Sequence, residues 1–420
     1  MTPQVETSPR PGPPSLLRRL AGGRASRALV VGALSSAGNL LLSLTVARHE
    51  TVTGVGWFAL AFSAYVLASG LARAVVTDSV LASPTAVAQA REGAARALTI
   101  GVLSALPVLA AGLAVDSPYL LIAGVAVPGL VLYDFVKAVN LGAGQPRLAC
   151  GLELLWAVAT VLGALLGLVR VVGPVAVFAV WAGAGALIGG LAAVRQRYRV
   201  RPGWAAAPGE TRVAVSFGAQ FLVTTGSAHL ALTATAAGAG AAVVGALSAG
   251  RTVLGPVNLL LSTAGALMIP YLVRYRDRPG AVRIRSAARV AALVLGCTAP
   301  VAVAVALLPD TIGRHLLAAN WDLAQPLLLA LALESLLTVA ATVGFAGHRV
   351  ERAGRRALLL GTLLGLIRVP AVLGGALLFG AAGAAGAMVA MALASAVVWW
   401  CSYLVLLRRP APMRPVPQPA

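Results

Sequence analysis

The chain has a single lysine, Lys137, among 33 basic residues, and only 13 acidic residues, four histidines and three cysteines in 420 positions. Each shortage excludes a chemistry. A nucleotide-hydrolysing P-loop needs a lysine after a glycine-rich turn, and Phe135-Val136-Lys137-Ala138 is not one. His49, His229, His315 and His348 stand apart, so no HExxH zinc pair can form, and no paired aspartates mark a metal-dependent transferase. Cys150, Cys297 and Cys401 lie far apart in or beside apolar runs; they read as small apolar residues, without a disulfide framework or metal spacing. Aromatics are 5% of the chain, and no aromatic-rich soluble module accompanies the arginines, which sets nucleic-acid binding aside despite a net charge of +20. Catalysis, a bound metal and any other cofactor are therefore not expected.

Charge is scarce as well. Charged residues make up 11% of the chain, against about 25% in a soluble domain, and 59% is hydrophobic. A helix needs about 20 apolar residues to cross the hydrocarbon core. Runs of that length recur at 28–47, 54–74, 97–115, 119–140, 149–169, 172–194, 213–236, 243–272, 290–308, 323–347, 358–379 and 382–407. The chain thus reads as an all-α polytopic membrane protein with about twelve transmembrane helices. Gly173 and Pro174 interrupt the sixth run, and Pro256 the eighth, where the missing N–H predicts a kink. The first run follows a basic stretch, but it is of spanning length and Arg48-His49-Glu50 follows without a small-residue cleavage site; it reads as a retained helix rather than a signal peptide.

The basic residues alternate. Of the 33, 28 fall in the two tails or in the gaps after the second, fourth, sixth, eighth and tenth runs. The opposite gaps hold only Arg48, Arg170 and Arg314, and Arg251 and Arg368 lie inside runs. By the positive-inside rule the arginine-rich side and both termini are cytoplasmic, with the basic loops against anionic membrane lipid. Residues 1–26 read as a disordered basic tail, 27–194 as a six-helix lobe, 195–212 as a basic cytoplasmic linker, 213–407 as a second six-helix lobe and 408–420 as a disordered tail. Six spans return the chain to the same side, so the lobes are expected as parallel repeats about an axis normal to the membrane. Val55-Gly56 opening the second run and Val244-Gly245 opening the eighth is a matching pair. The 46 glycines fit close helix packing in lipid.

Ionisable residues inside spans are costly and mark partners or cavities. Arg368, in Ile367-Arg368-Val369-Pro370, lies about ten residues from either end of its run, about 15 Å deep at 1.5 Å per residue. Glu334 lies at similar depth. Two readings stand: a structural Glu334–Arg368 ion pair, or a cavity cation for an anionic substrate. Arg251, before Gly255-Pro256-Val257-Asn258, either lines a cavity or reaches outward to the interface. Asp134 and Lys137, one turn apart, form a local (i, i+3) pair or couple transport to an ion. Arg73 and Glu153 lie near inner ends, with Arg147 a partner for Glu153.

The stretch Gly56-Trp57-Phe58-Ala59-Leu60-Ala61 through Gly70-Leu71-Ala72-Arg73-Ala74 resembles the early helix of polysaccharide flippases. Tyr133-Asp134-Phe135-Val136-Lys137 through Gly142-Ala143-Gly144-Gln145-Pro146-Arg147 resembles their fourth-to-fifth helix junction. Gly255-Pro256-Val257-Asn258 through Ile269-Pro270-Tyr271-Leu272 resembles their eighth helix, and Leu308-Pro309-Asp310 through Trp321 the opening of their tenth. In this order the motifs cover most of the chain and resemble the oligosaccharide and O-antigen flippase branch of the multidrug/oligosaccharidyl-lipid/polysaccharide exporter superfamily. The resemblance implies an alternating-access exporter in the bacterial plasma membrane, flipping a polyprenyl-diphosphate-linked oligosaccharide for surface polysaccharide synthesis, with a saccharide polymerase or glycosyltransferases as partners. It implies a cationic cavity, for which Arg251, Arg368, Arg73 and Lys137 are the available positions. The alternatives are a cation-coupled small-molecule exporter dependent on Asp134 or Glu334, and a non-transport scaffold of a saccharide-assembly complex. A major-facilitator transporter is disfavoured, since Thr77-Asp78-Ser79-Val80-Leu81 lacks that family's Gly-x-x-x-Asp-Arg signature.

Overall fold

Apolar residues on every side of a helix demand lipid or protein around it, and the chain answers with helices throughout. The computed structural model describes residues 25–82, 86–205 and 208–408; the two tails expected to be disordered fall almost wholly outside them. The helices are α1 (Ala25–His49), α2 (Val52–Ala72), α3 (Asp78–Ala82), α4 (Ala86–Ala114), α5 (Pro118–Gly142), α6 (Pro146–Leu168), α7 (Pro174–Arg195), α8 (Pro208–Phe221), α9 (Ser227–Ala239), α10 (Ala241–Val253), α11 (Gly255–Val273), α12 (Gly280–Ala306), α13 (Asp310–Leu317), α14 (Trp321–Val350) and α15 (Gly354–Arg408). Two π-helical turns, Arg73–Thr77 and Leu222–Gly226, continue α2 and lead into α9. No strand occurs among the described residues. Among the described residues nine helical stretches are long and apolar enough to span a bilayer, and a tenth is counted when α10 and the start of α11 are joined across a 66° bend.

Several prolines open helices, while Pro107, Pro128, Pro300, Pro326 and Pro370 lie inside them. Pro118, Pro146 and Pro174 each sit in the first turn, where the missing N–H costs nothing. The sixth span therefore starts cleanly at Pro174 with Gly173 as its cap, so the expected interruption there is its boundary. The eighth run is a true break: α10 ends at Val253, and Gly255 and Pro256 start α11 in a new direction. Within α15 the backbone leaves helical geometry at Phe379 and Gly380, and the two parts fold against each other. Gly375 and Gly383 meet there so closely that a Cβ on either would strike the other's carbonyl oxygen.

Outward faces carry leucine and valine, as a lipid-facing surface must. On α6 these are Leu154, Leu155, Val158, Val161, Leu162 and Leu165. By contrast 67% of the most apolar window of α5 is buried, which makes α5 the central helix of the first half.

The two halves are joined on the face poor in arginine. Gly56 of α2 lies against the Ala241 backbone of α10, and Gly245 of α10 against the Val52 backbone of α2; neither site has room for a Cβ. The pair noted as matching in sequence thus meets face to face. Asn320 donates to the carbonyls of Ala47 and Glu50 at 2.8 Å each, and Arg48 donates to the His315 carbonyl. On the arginine-rich face, the ion pairs Arg73–Asp78, Arg199–Glu92 and Arg283–Glu351 each stay within one half. There the halves touch where Gly70 packs on the Phe221 ring and Gly218 on Val75.

Candidate functional site

A connected set of aromatic rings packs in the first half. Phe62, Tyr65 and Phe178 pack around Trp181 with ring centroids 5.5–5.6 Å apart, and Trp156 lies 5.2 Å from Trp181 and 4.6 Å from Tyr133. Trp156 Nε1 donates to the Trp181 carbonyl at 2.8 Å, which fixes α6 on α7. This platform holds a charged cluster. Lys137 Nζ lies 3.3 Å from Asp134 Oδ1 and 3.1 Å from Glu153 Oε2, and 4.9 Å from the centre of the Tyr133 ring. Tyr133 donates to the same Glu153 oxygen at 2.7 Å, and Tyr65 donates to Asp134 Oδ2 at 2.9 Å. The Glu153 side chain is 3% exposed and that of Lys137 16%, so both charges depend on these partners.

The expected Asp134–Lys137 pair is therefore present, but the reading of Glu153 is corrected. It is not paired with Arg147 at the interface. Six residues along a helix is about 240° round it, so Glu153 faces away from Arg147 and into the bundle. Asp134 and Lys137, with Tyr65, Ser69, Asn39 and Arg73, line a cavity of about 610 Å³ toward the arginine-rich side. Arg73 belongs to the π turn there, a feature often found at functional sites; its guanidinium is exposed and 3.5 Å from Asp78.

In the second half the sequence-selected residues come together with different partners. Arg251 of α10 donates to Glu334 of α14 at 3.3 Å and approaches Met388 Sδ at 3.4 Å. The proposed Glu334–Arg368 pair is not formed: Arg368 of α15 donates instead to Ser227 Oγ at 3.5 Å, and Glu334 spends its contact on Arg251. Equal depth decided the sequence reading, whereas the direction each helix face points decides the contact. Gly361 and Gly365 bring α15 against Thr224 and the Val223 backbone of the second π turn, and this places Arg368 beside Ser227. Two residues further on, His229 Nδ1 and Ser63 Oγ of α2 are hydrogen-bonded across the halves at 3.0 Å.

The halves are opposite in charge. In the first, two carboxylates share one ammonium; in the second, one guanidinium pairs with the carboxylate and another bonds a hydroxyl. Tyr65, Tyr133, Ser63 and Ser227 escaped the sequence reading. Mid-span tyrosines in an aromatic-poor chain were the available signal for the first two. No group of three or more potential metal ligands occurs among the described residues.

No protein-family model matches the sequence, and no curated protein is significantly similar to it. Solved structures share its fold. A multidrug resistance MATE family transporter of the MOP superfamily in its inward-facing conformation is 15% identical, with a TM-score of 0.65 over 88% of this chain and 94% of that one. An outward-facing conformation of such a transporter gives 15% and 0.54 over 91% and 94%. The lipid II flippase MurJ in an inward closed conformation gives 10% and 0.67 over 91% and 89%. The fold is that of MOP-superfamily transporters.

Proposed function

We propose that this chain is an alternating-access transporter that flips a polyprenyl-diphosphate-linked oligosaccharide across the bacterial plasma membrane for surface polysaccharide synthesis. Counting α15 as two spans and α8 to α9 as one, with the ten already described, gives twelve helices in two lobes of six, both termini cytoplasmic. The halves meet backbone to backbone on the arginine-poor face and through Gly70 on Phe221 and Gly218 on Val75 on the other, so loading from the cytoplasm requires the latter contacts to part.

The observation that carries the substrate class is Arg368. It lies deep in its span with a neutral hydroxyl as its hydrogen-bond partner, while the nearby carboxylate is taken by Arg251. A cation left so at mid-bilayer favours an anionic ligand, and a guanidinium fork matches a diphosphate. The test is flipping of a fluorescent polyprenyl-diphosphate oligosaccharide in proteoliposomes. Arg368→Ala is expected to abolish it at normal protein yield, and Arg368→Lys to retain part. Wild-type flipping by Arg368→Ala would overturn the reading.

A second reading has its own support. The Asp134–Lys137–Glu153 cluster with its 610 Å³ cavity suits a cation-coupled small-molecule exporter. That reading predicts efflux of a cationic dye driven by a proton or sodium gradient and uncoupled by Asp134→Asn. A chain that exports dye but leaves the saccharide lipid in place would establish it over the first.

A further inference from the structure

Only three arginines belong to the gaps on the arginine-poor face, and the structure disposes of them unequally. Arg314 is neutralised by Asp322 at 3.1 Å. Arg48 and Arg170 come from different helix ends, far apart in sequence, and line one crevice of about 420 Å³ together with His49, Gly167, Val172, Gly173 and Pro174. Neither has a carboxylate within ion-pair distance among the described residues; Arg48 donates to the His315 carbonyl. His49 Nε2 is buried without a hydrogen-bond partner among the described residues. The start of α7 borders the same crevice: Gly173 offers no side chain to cap it and Pro174 has no N–H, so the N–H groups of Val175 and Ala176 have no side-chain cap. The ends of α1 and α6 each contribute about half a negative charge and the start of α7 about half a positive one. Set against two guanidiniums, these leave a clear positive excess.

We propose that this crevice is a phosphate-binding site on the arginine-poor face, taking a phosphate or diphosphate group either as a free anion or as part of a lipid headgroup. Two guanidiniums and uncapped backbone N–H groups form a donor set for tetrahedral anion oxygens, with the His49 ring in the crevice wall. The site stands apart from the transport reading, which concerns residues in the halves' interior.

The experiment uses the purified full-length protein in detergent. Binding of inorganic pyrophosphate is measured by calorimetry, and binding of phosphatidylglycerol by native mass spectrometry. The variants are Arg48→Gln, Arg170→Gly and, as control, Arg314→Gln. Arg170 has φ of +60°, a conformation glycine adopts freely, so Arg170→Gly removes the cation and relieves the backbone at once. Thermal stability should hold or rise in that variant, while anion binding weakens about tenfold or more and the wild-type affinity falls with added salt. Pyrophosphate binding without lipid assigns the crevice to a free anion; phosphatidylglycerol binding alone assigns it to a headgroup. Unchanged binding of both probes in a folded Arg170→Gly variant, or an equal loss in Arg314→Gln, would sink the proposal.

Discussion

Glu334 pairs with Arg251 at 3.3 Å and not with Arg368, although Glu334 and Arg368 were the residues matched by depth. The two arginines are therefore unlike. Removing Arg251 strands a half-buried carboxylate, whereas removing Arg368 strands only a hydroxyl.

This gives a double-mutant prediction. Arg251→Ala should lower stability by about 1–2 kcal/mol, the scale of polar contacts within membrane bundles and of partly buried ion pairs. Glu334→Ala placed on top of it should restore much of the loss. Arg368→Ala should leave thermal unfolding and membrane abundance near wild type. A rescue of Arg368→Ala by Glu334→Ala instead would mean that the pairing is wrong.

Lys137 is the keystone of the first-half cluster. Replacing it with alanine leaves Asp134 and Glu153 facing each other without a cation, and a loss of about 2–4 kcal/mol is expected. Arginine should recover part of it. The check is thermal unfolding of the purified variants beside Tyr133→Phe, which removes one hydrogen bond and should cost about 1 kcal/mol.

The seam between the halves can be probed with a single methyl group. Gly56→Ala and Gly245→Ala each push a Cβ into the opposing backbone, and each should destabilise by about 1–3 kcal/mol as overpacking does. Gly296→Ala in α12 meets nothing within 4 Å and should be neutral or stabilising by up to about 1 kcal/mol through helix propensity. Equal melting shifts at the three positions would contradict the contact.

Sidedness is open to labelling. With Cys150, Cys297 and Cys401 replaced, single cysteines at Ala237, Ala318 or Ala381 are expected to react with an impermeant thiol reagent in intact cells. Those at Arg199, Arg283 or Arg352 should react after lysis. The reverse pattern would invert the orientation.

Much of the fold was legible because lipid imposes a simple grammar: the length of an apolar run gives a span. Asp134–Lys137 was legible for a related reason, since one helical turn fixes which side chains meet. Contacts between helices were not. The partner of Glu153 lay on α5, 16 positions earlier and beyond any local rule, and Tyr65 reached Asp134 across 69 positions. Arg251 rides on α10, which ends just short of a 66° bend, so its heading could not be carried over from a straight helix. The Gly56 and Gly245 dipeptides read in sequence as a matching pair, and what they signify in the structure is a shape: two places where a backbone needs room for another backbone.

The fold-back at Phe379 and Gly380 bears on how this end of the chain is built. Two residues join its two arms, and neither brings a polar loop that has to be hauled through the hydrocarbon on its own. The Gly375–Gly383 contact then makes each arm the other's cover. An arm inserted alone would present a bare glycine notch to acyl chains that cannot fill it. The smallest piece of this region with a finished surface is thus the whole 55-residue hairpin, whose two ends lie on the same face.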